Sequence, residues 1–157
     1  MTGWTTLGEH LPWLRGQSVH LAAASTEPEL TRTLRAAGFT LARAGSPQAG
    51  SDERFRPVTT ALRLPATAAG NLDALVDSLR DLPDRWPDCR RLVLLADADQ
   101  LVRTDLLSWL QLGLVLGQAT GTLWESAGLV FETVFLLPDG SFGADVPRWG
   151  RSAGTES

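Results

Sequence analysis

Four short apolar runs, separated by longer stretches with helical periodicity, constrain the fold of this chain more than any other feature. The runs occupy residues 18–23, 39–42, 91–96 and 130–137. Between them, apolar residues recur every three or four positions, the spacing of a helix buried along one side. Strands that alternate with helices pair in parallel, because the chain must cross the sheet between them. We therefore expect an α/β fold in which a small parallel sheet of three to four strands is covered by helices.

The helix boundaries follow from capping and breaking residues. A helix is expected after Thr26, a candidate N-cap, and it should end at Gly38. Further helical patterns cover residues 4–14, 52–64 and 104–121, and the last of these carries Asp105 in its first turn. Another should begin at Asn71 and end where Pro83 and Pro87 flank Trp86. Residues 44–52 are rich in Gly, Ser and Pro and are expected to form a loop.

Composition places the chain among ordinary globular domains and indicates a basic partner. Its 157 residues, 43% hydrophobic and 20% charged, are enough for one domain with a proper core. The 14 basic and 18 acidic residues give a net charge of −4, and the pI is near 5.1. This balance argues against general affinity for nucleic acid or an anionic membrane.

Two missing residue types exclude several kinds of chemistry. The chain has no lysine, so it has no phosphate-binding Walker loop, no Schiff-base site and no lysine-dependent phospho-receiver site. Cys89 is the only cysteine, so no internal disulfide can form. We find no signal-peptide pattern and no stretch of membrane-spanning length, which favours a cytoplasmic location. Secretion by a route without a signal peptide remains open.

Residues 70–77 combine a helix start with an acidic face. Gly70 precedes Asn71, whose side chain is suited to cap the first turn of a helix. One side of this helix is apolar and carries Leu72, Leu75, Val76, Leu79 and Leu82. The other side carries Asp73, Asp77, Arg80, Asp81 and Asp84. On this pattern alone, the carboxylates are better explained as the solvated face of an amphipathic helix, with Asp73 favoured there by the helix dipole.

The same stretch resembles the barstar family of small intracellular ribonuclease inhibitors. The resemblance rests on Leu64 and Pro65, on the run from Asn71 to Leu75 that reads Asn-Leu-Asp-Ala-Leu, and on Asp77. It covers residues 38–137 and implies one barstar-like domain over residues 1–137, in which residues 1–37 are an N-terminal strand and helix added to the core. Residues 138–157 are rich in turns and polar residues, and we expect this tail to be disordered.

The resemblance also implies a function and a set of binding residues. Family members present carboxylates to the basic active site of a ribonuclease, where they stand in for substrate phosphates. The chain would then be an inhibitor or immunity protein for a basic ribonuclease or a related toxin domain, with no catalytic residue, metal or cofactor of its own. The partner-binding residues implied are Thr67, Gly70, Asn71, Asp73, Val76, Asp77, Asp81 and, in a looser register, Glu125. The oligomeric state is left open.

Two departures from the family pattern favour a second hypothesis. Where the family has aromatic residues between Leu-Pro and Asn, this chain has residues 66–69, Ala-Thr-Ala-Ala, and Val76 replaces a typical tryptophan. The fold would then serve as a non-inhibitory interaction or regulatory module with a different basic partner. An exposed Trp86 beside Asp81 and Asp84 is a further candidate for the missing aromatic contact.

A third hypothesis is a small α/β enzyme. Asp97 and Asp99 follow the apolar run at residues 91–96, where the carboxyl ends of parallel strands often place ligands, and paired carboxylates there can hold magnesium. A simple turn from strand to helix explains the same residues, and the absence of lysine favours the turn. His10 and His20 have no metal-site spacing, and Cys89 has no evident base near it in the sequence.

Overall fold

The computed structural model describes residues 15–16, 19–46 and 54–143. Its strands are β1 (Arg15–Gly16), β2 (Val19–Ala23), β3 (Thr40–Ala44), β4 (Arg91–Asp97) and β5 (Val130–Leu137). Its α-helices are α1 (Glu27–Ala36), α2 (Arg56–Ala61), α3 (Leu72–Leu79), α4 (Leu82–Arg85), α5 (Asp99–Thr104) and α6 (Leu106–Ala127). Short 3-10 helices cover Ala24–Thr26, Ala66–Ala68 and Asp139–Gly143. The expected helix at residues 4–14, most of the loop at 44–52 and the tail beyond residue 143 lie outside the described residues.

The strands form one sheet in the order β1-β2-β5-β4-β3. The pairs β2–β5, β5–β4 and β4–β3 are parallel, with Leu94 opposite Thr133 on one side and Ala42 on the other. The predicted α/β fold with a parallel sheet of up to four strands is therefore confirmed. The sequence did not indicate β1, a two-residue strand that pairs antiparallel with β2 at the edge of the sheet.

Alternation of side chains along the strands divides the interior into two cores. In β4, Leu92 and Leu94 point to one face, and Val93 and Leu95 point to the other. The first face belongs to the larger core, which is covered by α2 to α6 and includes the buried Trp109. The second face belongs to a smaller core, and α1 contributes to it the residues Leu30 and Leu34. Helices therefore cover both faces, as parallel sheets require.

The first helix has the predicted bounds, but the side chain of Thr26 does not cap it as predicted. Thr26 occupies the N-cap position, yet its hydroxyl donates a hydrogen bond back to the Ala23 carbonyl at 2.6 Å and caps no helical amide. The predicted end is confirmed, because Gly38 has φ +90°, a conformation that favours glycine and ends the helix.

One predicted helix is broken in two. The segment that begins at Asn71 is interrupted at residues 80–81, and Pro83 lies in the first turn of α4, so Pro83 starts a helix instead of ending one.

The helix predicted over 104–121 has different bounds. The turn after β4 leads at Asp99 into α5, which the sequence does not predict, and Asp105 lies between α5 and α6 as an N-cap instead of inside the first turn. Within the described ranges, no helix is long and apolar enough to cross a membrane.

Candidate functional site

The loop from residue 63 to residue 70 is held at both ends by backbone hydrogen bonds. Arg63 follows α2 with φ +64°, a left-handed conformation that turns the chain toward Pro65. The Leu64 amide donates to the Thr59 carbonyl at 2.8 Å, and the Phe55 amide donates to the Ala69 carbonyl at 2.7 Å. These bonds fix the direction from which the chain enters α3.

Beyond Arg63, which is exposed, the loop presents only small exposed residues to solvent. Ala66, Thr67 and Gly70 are exposed, whereas Ala68 and Ala69 are buried, with Ala68 inside the larger core. The aromatic residues of the family pattern therefore have no exposed counterpart in this loop. Of the residues implied here by the resemblance, Thr67 and Gly70 lie at the surface.

Asn71 caps α3 as the sequence predicts. Its backbone is extended, and its Oδ1 accepts hydrogen bonds from the amides of Asp73 at 2.8 Å and Ala74 at 3.2 Å. Leu75 and Leu79 are buried on the inner side of the helix, while Leu72 and Val76 are half-buried. Cap and apolar stripe together fix which side of α3 faces solvent.

Asp73 and Asp77 lie on that solvent-facing side. One turn separates them, which places their Cβ atoms about 5–6 Å apart. Asp77 is 76% exposed, and the Arg80 guanidinium, itself 69% exposed, lies 3.7 Å from its carboxylate. A pair this exposed contributes only about 0–1 kcal/mol, so a more basic partner can displace Arg80. Within the described chain, Asp73 has no cation in salt-bridge range.

The acidic surface continues past the end of α3. Asp81 and Asp84 are exposed at the start of α4, and the Asp81 side chain caps no amide. We call the four residues Asp73, Asp77, Asp81 and Asp84 the acidic ridge.

Glu125 lies on a different helix from the ridge. It is exposed near the end of α6, one turn after Gly121. A methyl group added to Gly121 would lie 4.0 Å from the Oε1 atom of Glu125. No contact joins it to Asp73 or Asp77 in the described chain. Within the described chain, its link to the acidic ridge is indirect: it lies on α6, and α6 packs beside α3.

Trp86 does not supply an exposed aromatic contact, so that hypothesis is wrong. The ring is 8% exposed, its Nε1 donates to the Leu62 carbonyl at 3.0 Å, and the Arg63 guanidinium carbon lies 3.6 Å from the ring centroid. Trp86 thus ties α4 to the end of α2, where the loop begins. Sequence reasoning missed this anchor and the left-handed Arg63, because neither Gly nor Asn marks the position.

Asp97 and Asp99, the carboxylates near the end of β4, each form an ion pair with an arginine. Arg43 donates to Glu27 at 2.7 Å and to Asp97 at 2.8 Å, and these partners, Glu27 foremost, raise its pKa. Asp99 pairs with Arg103 at 2.9 Å, within α5. No group of three potential metal ligands occurs among the described residues. Each of the two carboxylates that the enzyme hypothesis invokes therefore has an arginine partner.

Comparison with known families agrees with the resemblance of the 64–77 segment. The family model described as "Barstar (barnase inhibitor)" matches residues 41–135, from β3 to β5, which is more than half of the chain. The match includes the loop, α3 and α4. No curated protein and no solved structure matches the chain.

Proposed function

The chain belongs to the barstar family, and from this premise we propose that it is an inhibitor or immunity protein for a basic ribonuclease or a related toxin domain. It would act in the cytoplasm of the cell that makes the enzyme. The segment from Thr67 to Asp81 would enter the active-site cleft of the enzyme and block it, while the inhibitor performs no chemistry itself.

The observation that carries the proposal is the arrangement of Asp73 and Asp77. They stand one turn apart on a helix that Asn71 caps, both are exposed, and among the described residues only the exposed Arg80 lies in salt-bridge range of either. Two neighbouring carboxylates carry the charge that a phosphate-binding site built from arginine and lysine recognises. Complementary charge would speed association and make it sensitive to salt.

The test is inhibition of RNA cleavage by a panel of basic ribonucleases, measured with the wild-type protein and with Asp77→Asn. We expect a nanomolar or tighter inhibitor within the panel and a loss of affinity of at least about thirtyfold in the variant, because a partner cation is left buried without its counter-charge. The association rate of the wild type should fall steeply as salt is added.

Glu29→Gln is the matched control, since it removes one exposed negative charge from α1, on the opposite face of the sheet. It should inhibit like the wild type. Absence of inhibition across the panel, or equal affinities for Asp77→Asn and the wild type, would overturn the proposal.

A second candidate function is a binding module for a basic protein that is not a nuclease. The exposed part of the loop favours it, because Ala66, Thr67 and Gly70 offer no aromatic surface to a nucleotide-binding pocket. This candidate predicts a salt-sensitive partner that binds through Asp77 while RNA cleavage in the panel is unaffected.

A further inference from the structure

Helices α3 and α6 leave a cleft between them directly beside the acidic ridge. Its volume is about 170 Å³. We call it the α3–α6 cleft, and its apolar lining consists of Val76, Leu79, Val115, Ala119 and Leu123. Leu79, Ala119 and Leu123 are buried, whereas Val76 and Val115 are only half-buried and form the accessible part of the walls.

The cleft is the right size for a side chain. Pockets for cofactors and drug-sized ligands have volumes of about 300–1,000 Å³, well above this one. A depression of side-chain size with apolar walls and a polar rim is the kind of pocket that receives a single anchor residue at a protein interface.

The rim of the cleft is polar and continuous with the ridge. Arg80, Gln118 and Thr122 complete the lining. Arg80, whose guanidinium lies 3.7 Å from the Asp77 carboxylate, also lines the cleft, so the cleft and the ridge share this side chain. On the α6 side, Leu114 lies one turn before Gln118 and is 58% exposed, which extends the apolar surface outward.

We propose that the α3–α6 cleft receives one bulky apolar side chain, of leucine, methionine or phenylalanine size, from the same basic partner whose cations pair with the acidic ridge. The inference rests on the proposed function and adds a specificity site to it. Charge complementarity along the ridge sets the sign of the partner, and the cleft selects a partner with an apolar residue next to its cations. The ridge governs association, and the filled cleft slows dissociation.

The experiment fills the cleft at two positions on α6. Val115→Trp adds a large ring at the half-buried wall, and Thr122→Trp adds one at the exposed rim. Ala36→Trp, at an exposed position on α1, is the control for a new surface tryptophan. Binding to an inhibited ribonuclease is measured by surface plasmon resonance, and folding of each variant is checked by circular dichroism.

We expect each cleft-filling variant to lose at least about tenfold in affinity through faster dissociation, with an unchanged salt dependence of association, while Ala36→Trp binds normally. If both filled variants bind as tightly as the wild type, the inference is overturned while the proposed function stands. If the wild type inhibits nothing in the panel, the proposed function is the one that fails.

A measurement made without the partner separates failure of this inference from failure of the proposed function. The methyl resonances of Val76, Val115 and Leu123 are followed by NMR during titration with the peptides acetyl-Arg-Leu-Arg-amide and acetyl-Arg-Ala-Arg-amide. Larger shifts with the leucine peptide support an apolar anchor beside a cation, and equal shifts contradict it. If the wild type sediments as a dimer that Val115→Trp dissociates, a second copy of the chain is the occupant and the inference is wrong.

Discussion

The side chains of His20 and Glu132 are hydrogen-bonded at 2.7 Å between Nε2 and Oε1, and they are 0% and 1% exposed. His20 belongs to β2, which precedes the segment matched by the family model, whereas Glu132 belongs to β5 inside it. Alternation along the strands turns both toward the smaller core. A buried polar pair therefore joins β2 to β5, the last strand of the chain's sheet.

Replacing His20 by leucine should destabilise the fold by about 1–3 kcal/mol, because the buried Glu132 carboxyl loses its hydrogen bond to the imidazole. The double variant His20→Leu/Glu132→Leu should recover part of the loss, since both polar groups are then gone. Urea unfolding of the wild type, both single variants and the double variant measures the coupling. Strictly additive losses would show that the two side chains do not stabilise each other.

Removal of residues 1–37 should unfold the protein. The deletion takes away β2, the parallel neighbour of β5, and α1, whose Leu30 and Leu34 are buried in the smaller core. Val134 and Leu136 would then face water, with a transfer cost of about 25 cal/mol for each Å² of exposed apolar surface. Far-ultraviolet circular dichroism during heating tests this. A cooperative transition at the wild-type temperature would mean that residues 38–157 fold alone.

Asn71→Ala should lower the free energy of unfolding by about 1 kcal/mol, because the amides of Asp73 and Ala74 lose their acceptor. It should also weaken binding to a basic partner, since the first turn of α3 carries Asp73. Asn71→Ser, which keeps a capping oxygen, should retain most of the stability. Chemical unfolding and an inhibition assay on both variants give the comparison, and equal stability of alanine and serine variants would contradict the cap.

The parts of the fold that sequence predicts are those that local residue patterns determine. The parallel strands were visible as apolar runs, and the cap at Asn71 and the end of α1 at Gly38 depend on residues a few positions away. The acidic face of α3 followed from helical spacing around the same cap. These features need no knowledge of distant contacts.

The errors come from contacts between residues far apart in sequence. Trp86 is a candidate aromatic contact because it follows the acidic helix beside Asp81 and Asp84, but the Leu62 carbonyl and Arg63 hold it in a buried position. Asp97 was a candidate metal ligand, and its partner Arg43 lies on another strand. The α3–α6 cleft depends on the packing of two helices that no local pattern relates.

Arg80→Gln should strengthen binding to a basic partner. The change removes the cation 3.7 Å from Asp77, so the ridge gains net negative charge and association accelerates. Stability should change by no more than about 0.5 kcal/mol, because both groups are exposed. Arg103→Gln, which frees Asp99 within α5, is the control for charge alone. Stopped-flow association at low and high salt tests the prediction, and an unchanged or slower rate for Arg80→Gln would contradict it.

The Asp105 cap of α6 should make the free energy of unfolding depend on pH in the acid range. The Ser108 hydroxyl donates to Asp105 at 2.6 Å and its amide donates at 3.2 Å, and these bonds hold the pKa of Asp105 below its ordinary value of 3.8. A pKa lower in the folded state than in the unfolded state means that the cap stabilises the fold above about pH 4. That contribution is lost as the pH falls through the folded-state pKa.

Asp105→Ala should therefore cost about 1 kcal/mol near neutral pH, and the difference from the wild type should shrink at pH values below the Asp105 pKa. Ser108→Ala removes the hydroxyl bond, which is the larger cause of the shift, so the pKa of Asp105 should rise toward 3.8. NMR titration of the Asp105 carboxyl carbon in the wild type and in Ser108→Ala measures the shift directly. An identical titration curve in the two proteins would show that Ser108 does not tune this cap.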